Sequence, residues 1–290
     1  MSRVLQRPQG LSPAALAAIA DLERRVVAAD GGRLKLEWGV LRARAADQVS
    51  DALWWDGDRL VGFAGIYQFG GSTPEITGMV DPEARRQGIA SALLDAILET
   101  CRERAVTRAL LLVPRPSDAG HALAISRGGR PDHSEHALVL DGEPTEGPED
   151  PAITMRRATV DDAPDVHDIL AAAFDWTPDD LPGMLANNDG PERTLVIERD
   201  GRPVGTVRVT HDLTEAGDIG GIYGFAVHPD VQGRGIGRDA LRRCCRLLRE
   251  EGAVRVGLEV AVENEHALGL YTSTGFRPVT TEDYYALTIG

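Results

Sequence analysis

The sequence predicts an α/β protein of two tandem domains, each a mixed, mostly antiparallel sheet flanked by helices. Three observations carry this expectation. The chain contains an internal repeat, an acidic break separates its two copies, and strands and helices follow one order on both sides of that break.

The repeat is read directly. Met79-Val80-Asp81-Pro82-Glu83-Ala84-Arg85-Arg86-Gln87-Gly88-Ile89-Ala90 matches Ala226-Val227-His228-Pro229-Asp230-Val231-Gln232-Gly233-Arg234-Gly235-Ile236-Gly237 at an offset of 147 residues, close to half of a 290-residue chain. A period of that length implies a duplicated unit of domain size. Between the copies runs Glu143-Pro144-Thr145-Glu146-Gly147-Pro148-Glu149-Asp150-Pro151. It is acidic and Pro-rich with almost nothing apolar, which reads as an exposed linker. The expected domains are therefore 1–142 and 152–290, joined by 143–151.

The elements follow in order. In the C-terminal half, Ile153 to Ala158 reads as a strand. Thr159-Val160-Asp161-Asp162 has the form of a helix N-cap with an acidic first turn. Val166, Ile169, Leu170 and Ala173 continue it at helical spacing. Thr194–Ile197 and Val204–Val209 are strands around an Asp200-Gly201 hairpin turn. Ile222–Val227 is a further strand. Ile236, Ala240, Leu241, Cys244, Leu247 and Leu248 then form one helical stripe. Arg255–Val262 is a strand, Asn264–Thr274 a short helix, and strand resumes at Phe276. In the first half, Ser12-Pro13 opens a helix. Leu60–Tyr67 is a strand, Ile89–Arg104 a helix and Ala109–Val113 a strand. Hairpins followed by strand–helix alternation give a mixed sheet.

Composition narrows the function. With 42% hydrophobic and 26% charged residues the chain can bury a core. It lacks a run of about 18 apolar residues, and no apolar signal core follows Met1, so a cytoplasmic location without a membrane span is expected. A net charge of −14 argues against nonspecific nucleic-acid binding. Residues 146–290 hold 14 Lys+Arg against 26 Asp+Glu, whereas residues 1–145 hold 17 against 19. The acidic second half serves solubility and also suits a cationic amine acceptor. Cys101, Cys244 and Cys245 read as reduced structural thiols. The seven His show no ligand spacing, and no metal is expected.

The chemistry begins at Gln232-Gly233-Arg234-Gly235-Ile236-Gly237, between a strand and an amphipathic helix. Glycines allow close backbone approach. The first amides of the helix lack internal partners and carry partial positive charge, which favours an anion such as a pyrophosphate. Arg234 and Arg238 add positive charge. The glycine spacing fits neither the Rossmann fingerprint nor a P-loop. The pattern Gln/Arg-x-x-Gly-x-Gly/Ala resembles motif A of the GCN5-related N-acetyltransferase superfamily, once per half. The resemblance implies an acetyl-CoA co-substrate. Its pyrophosphate would rest on Gly233, Arg234, Gly235, Ile236, Gly237 and Arg238, and its pantetheine arm along Phe225, Ala226 and Val227. It also implies an amine-bearing acceptor, with a small molecule favoured.

Acetyl transfer to an amine needs a base, oxyanion stabilisation and a proton for the leaving thiolate. Glu259 lies in an otherwise apolar strand, an unusual place for a carboxylate. Leu258-Glu259-Val260, Asn264 and Tyr271 together resemble motif B of the ribosomal-protein alanine acetyltransferases. By that resemblance Glu259 is the general base, Tyr271 the acid on the thiolate, and Asn264 a pantetheine contact. Each residue has a plainer reading: Glu259 on a half-exposed strand, Asn264 as a helix N-cap, Tyr271 as core. The motifs also admit a non-catalytic acyl-CoA-binding module or a protein N-terminal or lysine acetyltransferase. Acceptor contacts are expected from variable segments such as Phe174–Asp189.

The first half departs from motif B. Aligning Gly129 with Gly275 puts Asp118 and Ile125 at the Asn and Tyr positions, and aligning Gly128 instead puts Ser117 and Ala124 there. Neither register supplies the pair. Arg85, Arg86, Gln87, Gly88, Ile89 and Ala90 retain motif A, so the first copy is expected to keep a possible second CoA site without full catalytic machinery. A two-copy layout with a weaker first copy resembles the mycothiol synthases, which acetylate the cysteinyl amine of a small thiol precursor. Their typical Leu-Tyr-Val-Glu-x-Asp-Asn run is replaced here by Leu258-Glu259-Val260-Ala261-Val262-Glu263-Asn264.

Overall fold

The computed structural model describes residues 3–69, 73–174, 177–214 and 217–290. Two compact units are formed, Met1–Glu135 with Thr280–Gly290, and His136–Val279.

The first unit contains β1 (Arg3–Gln6), α1 (Pro13–Asp30), α2 (Trp38–Arg42), β2 (Asp51–Asp56), β3 (Arg59–Tyr67), β4 (Glu75–Val80), α3 (Ile89–Glu103), β5 (Arg108–Pro114) and α4 (Asp118–Ser126). β6 (Arg130–Leu140) runs across the unit boundary. The second unit contains β7 (Ile153–Arg157), α5 (Ala163–Phe174), α6 (Leu181–Ala186), β8 (Arg193–Arg199), β9 (Arg202–Thr214), β10 (Gly217–Val227), α7 (Ile236–Glu250), β11 (Arg255–Ala261) and α8 (Glu265–Thr274). β12 (Arg277–Thr288) completes the chain.

Strand order is β1-β2-β3-β4-β5-β12 in the first unit and β6-β11-β10-β9-β8-β7 in the second. Among the registered pairs within units, only β4–β5 and β10–β11 are parallel; the others are antiparallel. The predicted mixed, mostly antiparallel sheets are present. The division at 143–151 assigns Thr280–Gly290 to the C-terminal half, whereas the structure groups that segment with the first unit. Strand pairing is the reason. Glu282–Thr288 lies antiparallel to Arg108–Pro114, and Tyr285, Leu287 and Ile289 join the core under α3.

Helices cover both faces of each sheet. In the first unit α3 buries Ile89, Leu93, Leu94 and Ile97 against Ile66, Ile76, Leu111 and Val113. On the opposite face α1 buries Ile19, Leu22 and Val26 against Leu53, Phe63 and Tyr67. In the second unit α7 packs Ile236, Ala240, Leu241, Cys244 and Leu248 on Val207, Val209, Ile222 and Leu258. α5 and α6 cover the other face through Val166, Ile169, Leu170 and Leu181. Each face alternates along the strands as a pleat requires.

Local expectations hold for definite reasons. Asp200 and Gly201 both have positive φ, 52° and 72°, as a two-residue hairpin turn requires. Thr159 and Asp162 form a reciprocal capping box over a single 3-10 turn, and α5 starts at Ala163. The Arg156 guanidinium, bonded to both Asp162 oxygens at 2.7 and 2.8 Å, holds that carboxyl well below the usual range. Burial pushes the Cys245 thiol up to about 12 and that of Cys244 further, so both stay protonated. All three cysteines are free and buried.

The acidic segment 143–151 is mostly exposed but is pinned to its own unit. Asp150 N donates to Asp239 Oδ2 at 2.8 Å, Arg246 donates to Glu149 at 2.7 Å, and Thr145 N donates to Thr274 O at 2.9 Å. Its acids thus answer the arginines along α7.

Leu241 is fully buried in the α7 core. Leu241→Ala should lower unfolding stability by about 2–5 kcal/mol through lost burial and a residual cavity. Chemical denaturation followed by circular dichroism would measure this.

Candidate active site

The second unit opens where its parallel pair ends. β10 and β11 are in register from Ile219/Arg255 to Ile222/Leu258 and no further. Beyond that point Ala226 and Val227 remain on β9, opposite Thr206 and Gly205. Past that point the two strands no longer pair, so Phe225–Val227 has no β11 partner on that side. Ala226 faces the α5 side, while Val227 and Phe225 face the α7 side.

A bulge marks the divergence. The β9–β10 register shifts between Tyr223 and Ala226, and Gly224 adopts φ 52°. A bulge leaves backbone amides out of the ladder. Sequence reasoning missed Gly224, although an isolated glycine inside a strand is a known signal for one. The equivalent β3–β4 pairing runs from Gly62/Val80 to Tyr67/Glu75 without a shift.

The loop after β10 has the form of an anion cradle. Gly235 is the N-cap of α7 in the left-handed region, at φ 83°, and provides no side-chain acceptor for the first-turn amides. Ser12, Ser117, Asp180 and Asn264, in contrast, cap their own helices through side chains. Gly233 has φ 73°, and a Cβ at Gly233 or Gly235 would meet nothing within 4 Å. The first-turn amides of α7 thus lack a side-chain acceptor of their own cap, which suits an anion such as a diphosphate. Arg234 and Arg238 are exposed beside them, Ile236 is buried beneath, and Gly237 lies under Leu270 and Val227. Gln232 Nε2 ties the loop to Val227 O at 2.8 Å.

Glu259 follows Leu258, the last residue of β11 paired with β10, and is half-buried. Leu258 and Val260 point into the α7 core, so Glu259 faces the opposite side, that of α5 and α6. Asn264 caps α8, its Oδ1 accepting from Ala267 N at 3.0 Å. Tyr271 is 8% exposed and meets Phe276 edge-on at 6.2 Å. Burial pushes its phenol up to about 12. Of the expected acceptor segment Phe174–Asp189, residues 175–176 lie outside the described residues.

The first unit repeats the loop but not the Glu, Asn and Tyr of the second. Gly88 caps α3 at φ 80° without a side-chain bond, and Ile89 is buried. Arg86, Gln87 and Ala90 are exposed. Arg85 Nε donates to Val80 O at 3.2 Å, the counterpart of the Gln232–Val227 contact. Its other nitrogens, however, are paired to Asp30 at 2.9 and 2.6 Å. Ser117 caps α4 as Asn264 caps α8, and Gly128 matches Gly275 in positive φ. The structure thus selects the register that puts Ala124 at the Tyr271 position. The same offset puts Leu112 at the Glu259 position.

Two diverging parallel strands, a glycine-capped helix and a carboxylate at the divergence define an acetyltransferase architecture. The sequence profile of the Acetyltransferase (GNAT) family matches residues 19–124 and 163–276, and the chain belongs to that family, once in each half. It is similar to a mycothiol acetyltransferase of Rhodococcus jostii (strain RHA1), 31% identical over 93% of this chain and 94% of that protein. A Bacillus subtilis (strain 168) protein assigned as a ribosomal protein bS18-alanine N-acetyltransferase is 32% identical over 43% of this chain and 80% of its own length. The crystal structure of a GCN5-related N-acetyltransferase from Sphaerobacter thermophilus shares the fold, with a TM-score of 0.74 and 20% identity over 99% of this chain and 96% of that one. The protein is an acetyl-CoA-dependent N-acetyltransferase that acts on an amine. Among the described residues no helix is long and apolar enough to cross a membrane.

Proposed function

We propose that the second unit is the working copy and that it acetylates the primary amine of a small molecule in the cytoplasm, without a metal. The observation that supports this is the end of the β10–β11 pairing at Ile222/Leu258, with the bulge at Gly224 two residues further along one strand and Glu259 the next residue of the other. Acetyl-CoA supplies the thioester as substrate. Its diphosphate rests on the amides from Gly233 to Arg238, and its arm extends along Phe225–Val227. Asn264 completes the arm's surroundings at the start of α8. Backbone amides freed at the bulge donate to the carbonyl oxygen as charge develops on it. Glu259, directly or through a water, takes the proton of the attacking amine. Tyr271 holds its own proton at neutral pH and delivers it to the leaving sulfur.

A small acceptor is supported by the whole-length similarity to mycothiol acetyltransferases. The test is thiol release from acetyl-CoA across a panel of amines, headed by the cysteinyl amine precursor of mycothiol and including peptides with free N-termini and lysine. Saturable release with a small amine is expected. Release with the peptides alone would replace the small-molecule reading by a protein-modifying one.

The cradle makes its own prediction. Gly235→Val forces a branched side chain into the left-handed region, at a cost of about 1–2 kcal/mol in local backbone strain. Coenzyme A affinity should fall about tenfold or more in a calorimetric titration. An unchanged affinity would remove this loop from the site.

A further inference from the structure

The chain has a single lysine, and it is nearly buried in the first unit. Lys35 lies between α1 and α2 with 9% of its side chain exposed. Its Nζ donates to Tyr284 Oη at 2.7 Å and lies 3.1 Å from Glu75 Oε2 and 3.7 Å from Glu135 Oε2. The rings of Phe69 and Tyr284 approach it at 5.8 and 5.3 Å. Tyr284 donates onward to Glu135 Oε2 at 2.6 Å, and His133 stacks on its ring at 4.1 Å. Enclosing a lysine sacrifices hydration and rotamer freedom. Carboxylates, a phenol and ring faces return that loss at one point. This is a recognition site for a primary ammonium group.

Its place in the fold gives it meaning. Glu75 is on β4 and Tyr284 on β12, the two strands that flank β5. Glu75 pairs with Leu110 and Tyr284 with Leu112. Leu110 and Leu112 share one face of β5, since residues two apart do. An ammonium that bridges Glu75 and Tyr284 therefore lies over Leu110–Leu112. Through the 147-residue repeat, Leu112 is the counterpart of Glu259. The lysine occupies the place where, in the second unit, an amine would meet its base.

We propose that the first unit retains an amine-acceptor site and that Lys35 is its tethered occupant, closing this copy to external amines. The meaning of the position rests on the reading of Glu259 as the base of the second unit. Leu112 has no group to take a proton, and Ala124 has none to give one. The ammonium is therefore held without reacting.

The test uses the full chain. Lys35→Ala should melt below the unaltered protein, and ethylammonium chloride should raise its Tm saturably by several degrees. Sodium and tetramethylammonium chloride at equal ionic strength should not, and the unaltered protein should respond to none of them. Lys35→Met, which keeps the bulk without the charge, should stay destabilised. A folded Lys35→Ala variant that melts alike in all three salts overturns the proposal, as does a Lys35→Met variant as stable as the parent. If Lys35→Ala does not fold, the unaltered chain carries the test. Acetic anhydride should then acylate Lys35, mapped by peptide mass, at least about tenfold more slowly in the native than in the unfolded state, as its burial requires; equal rates overturn the proposal. None of these readouts involves turnover. Failure of the Glu259 assignment would appear separately, as an unaffected rate in Glu259→Gln alongside intact ammonium rescue.

Discussion

Glu259→Gln should lower kcat/KM for a good amine about 10²–10⁴-fold, the range lost when a positioned general base is removed. The substitution keeps the shape of the side chain and its place on β11. It removes the ability to accept a proton, because an amide oxygen is far less basic than a carboxylate. The acceptor amine is mostly an ammonium at neutral pH, with an ordinary pKa near 8 for an α-amino group such as a cysteinyl amine and near 10 for an alkyl amine. Without a base, only the small fraction of amine already neutral reacts. The defect should therefore shrink as pH rises toward the pKa of the acceptor. Coenzyme A affinity should stay within about threefold, since the glycine cradle is distant in the chain and unaltered. Steady-state rates from pH 6 to 10, with a titration of coenzyme A at each end, would measure both. A rate within threefold of the parent at pH 7 would exclude Glu259 as the base.

Tyr271→Phe is the second large effect. The phenyl ring retains the edge-on contact with Phe276 and the burial of α8, so the fold should persist. On the proposed assignment, the proton for the departing sulfur should be lost. A thiol has an ordinary pKa near 8.5, so its thiolate leaves moderately well unaided. The expected loss in kcat therefore sits at the low end of the acid-catalysis range, about 10²-fold. The pH profile has a definite sign. Burial raises the Tyr271 phenol to about 12, so the acid remains protonated through neutral and mildly alkaline pH. The parent rate should rise with pH as the amine deprotonates, and no falling limb should appear below about pH 10. A falling limb centred near pH 8, or a Phe variant with unchanged kcat, would assign the thiolate's proton to another group.

Much of this molecule is legible in the sequence because its signals are local. A glycine at a helix start, an Asp-Gly hairpin turn and a Thr-x-x-Asp cap each describe a few adjacent residues whose backbone chemistry does not wait for the rest of the chain. The duplication is equally legible, since two copies of one unit need the same apolar spacing. Gly224 was within reach by the same logic. The two registers for α4 were not separable from sequence, and the cap at Ser117 decides between them.

The sequence by itself determined the family and the two-copy architecture, because a motif of about a dozen neighbouring positions carries the family pattern and recurs once in each half. Tertiary structure decided which residues share a neighbourhood. It moved Thr280–Gly290 into the first unit, fastened the acidic segment to α7, and carried Tyr284 to within 2.7 Å of Lys35 across 249 residues of chain. Strand pairing and buried charge act between residues distant in sequence, and no local pattern records where a strand will find its partner.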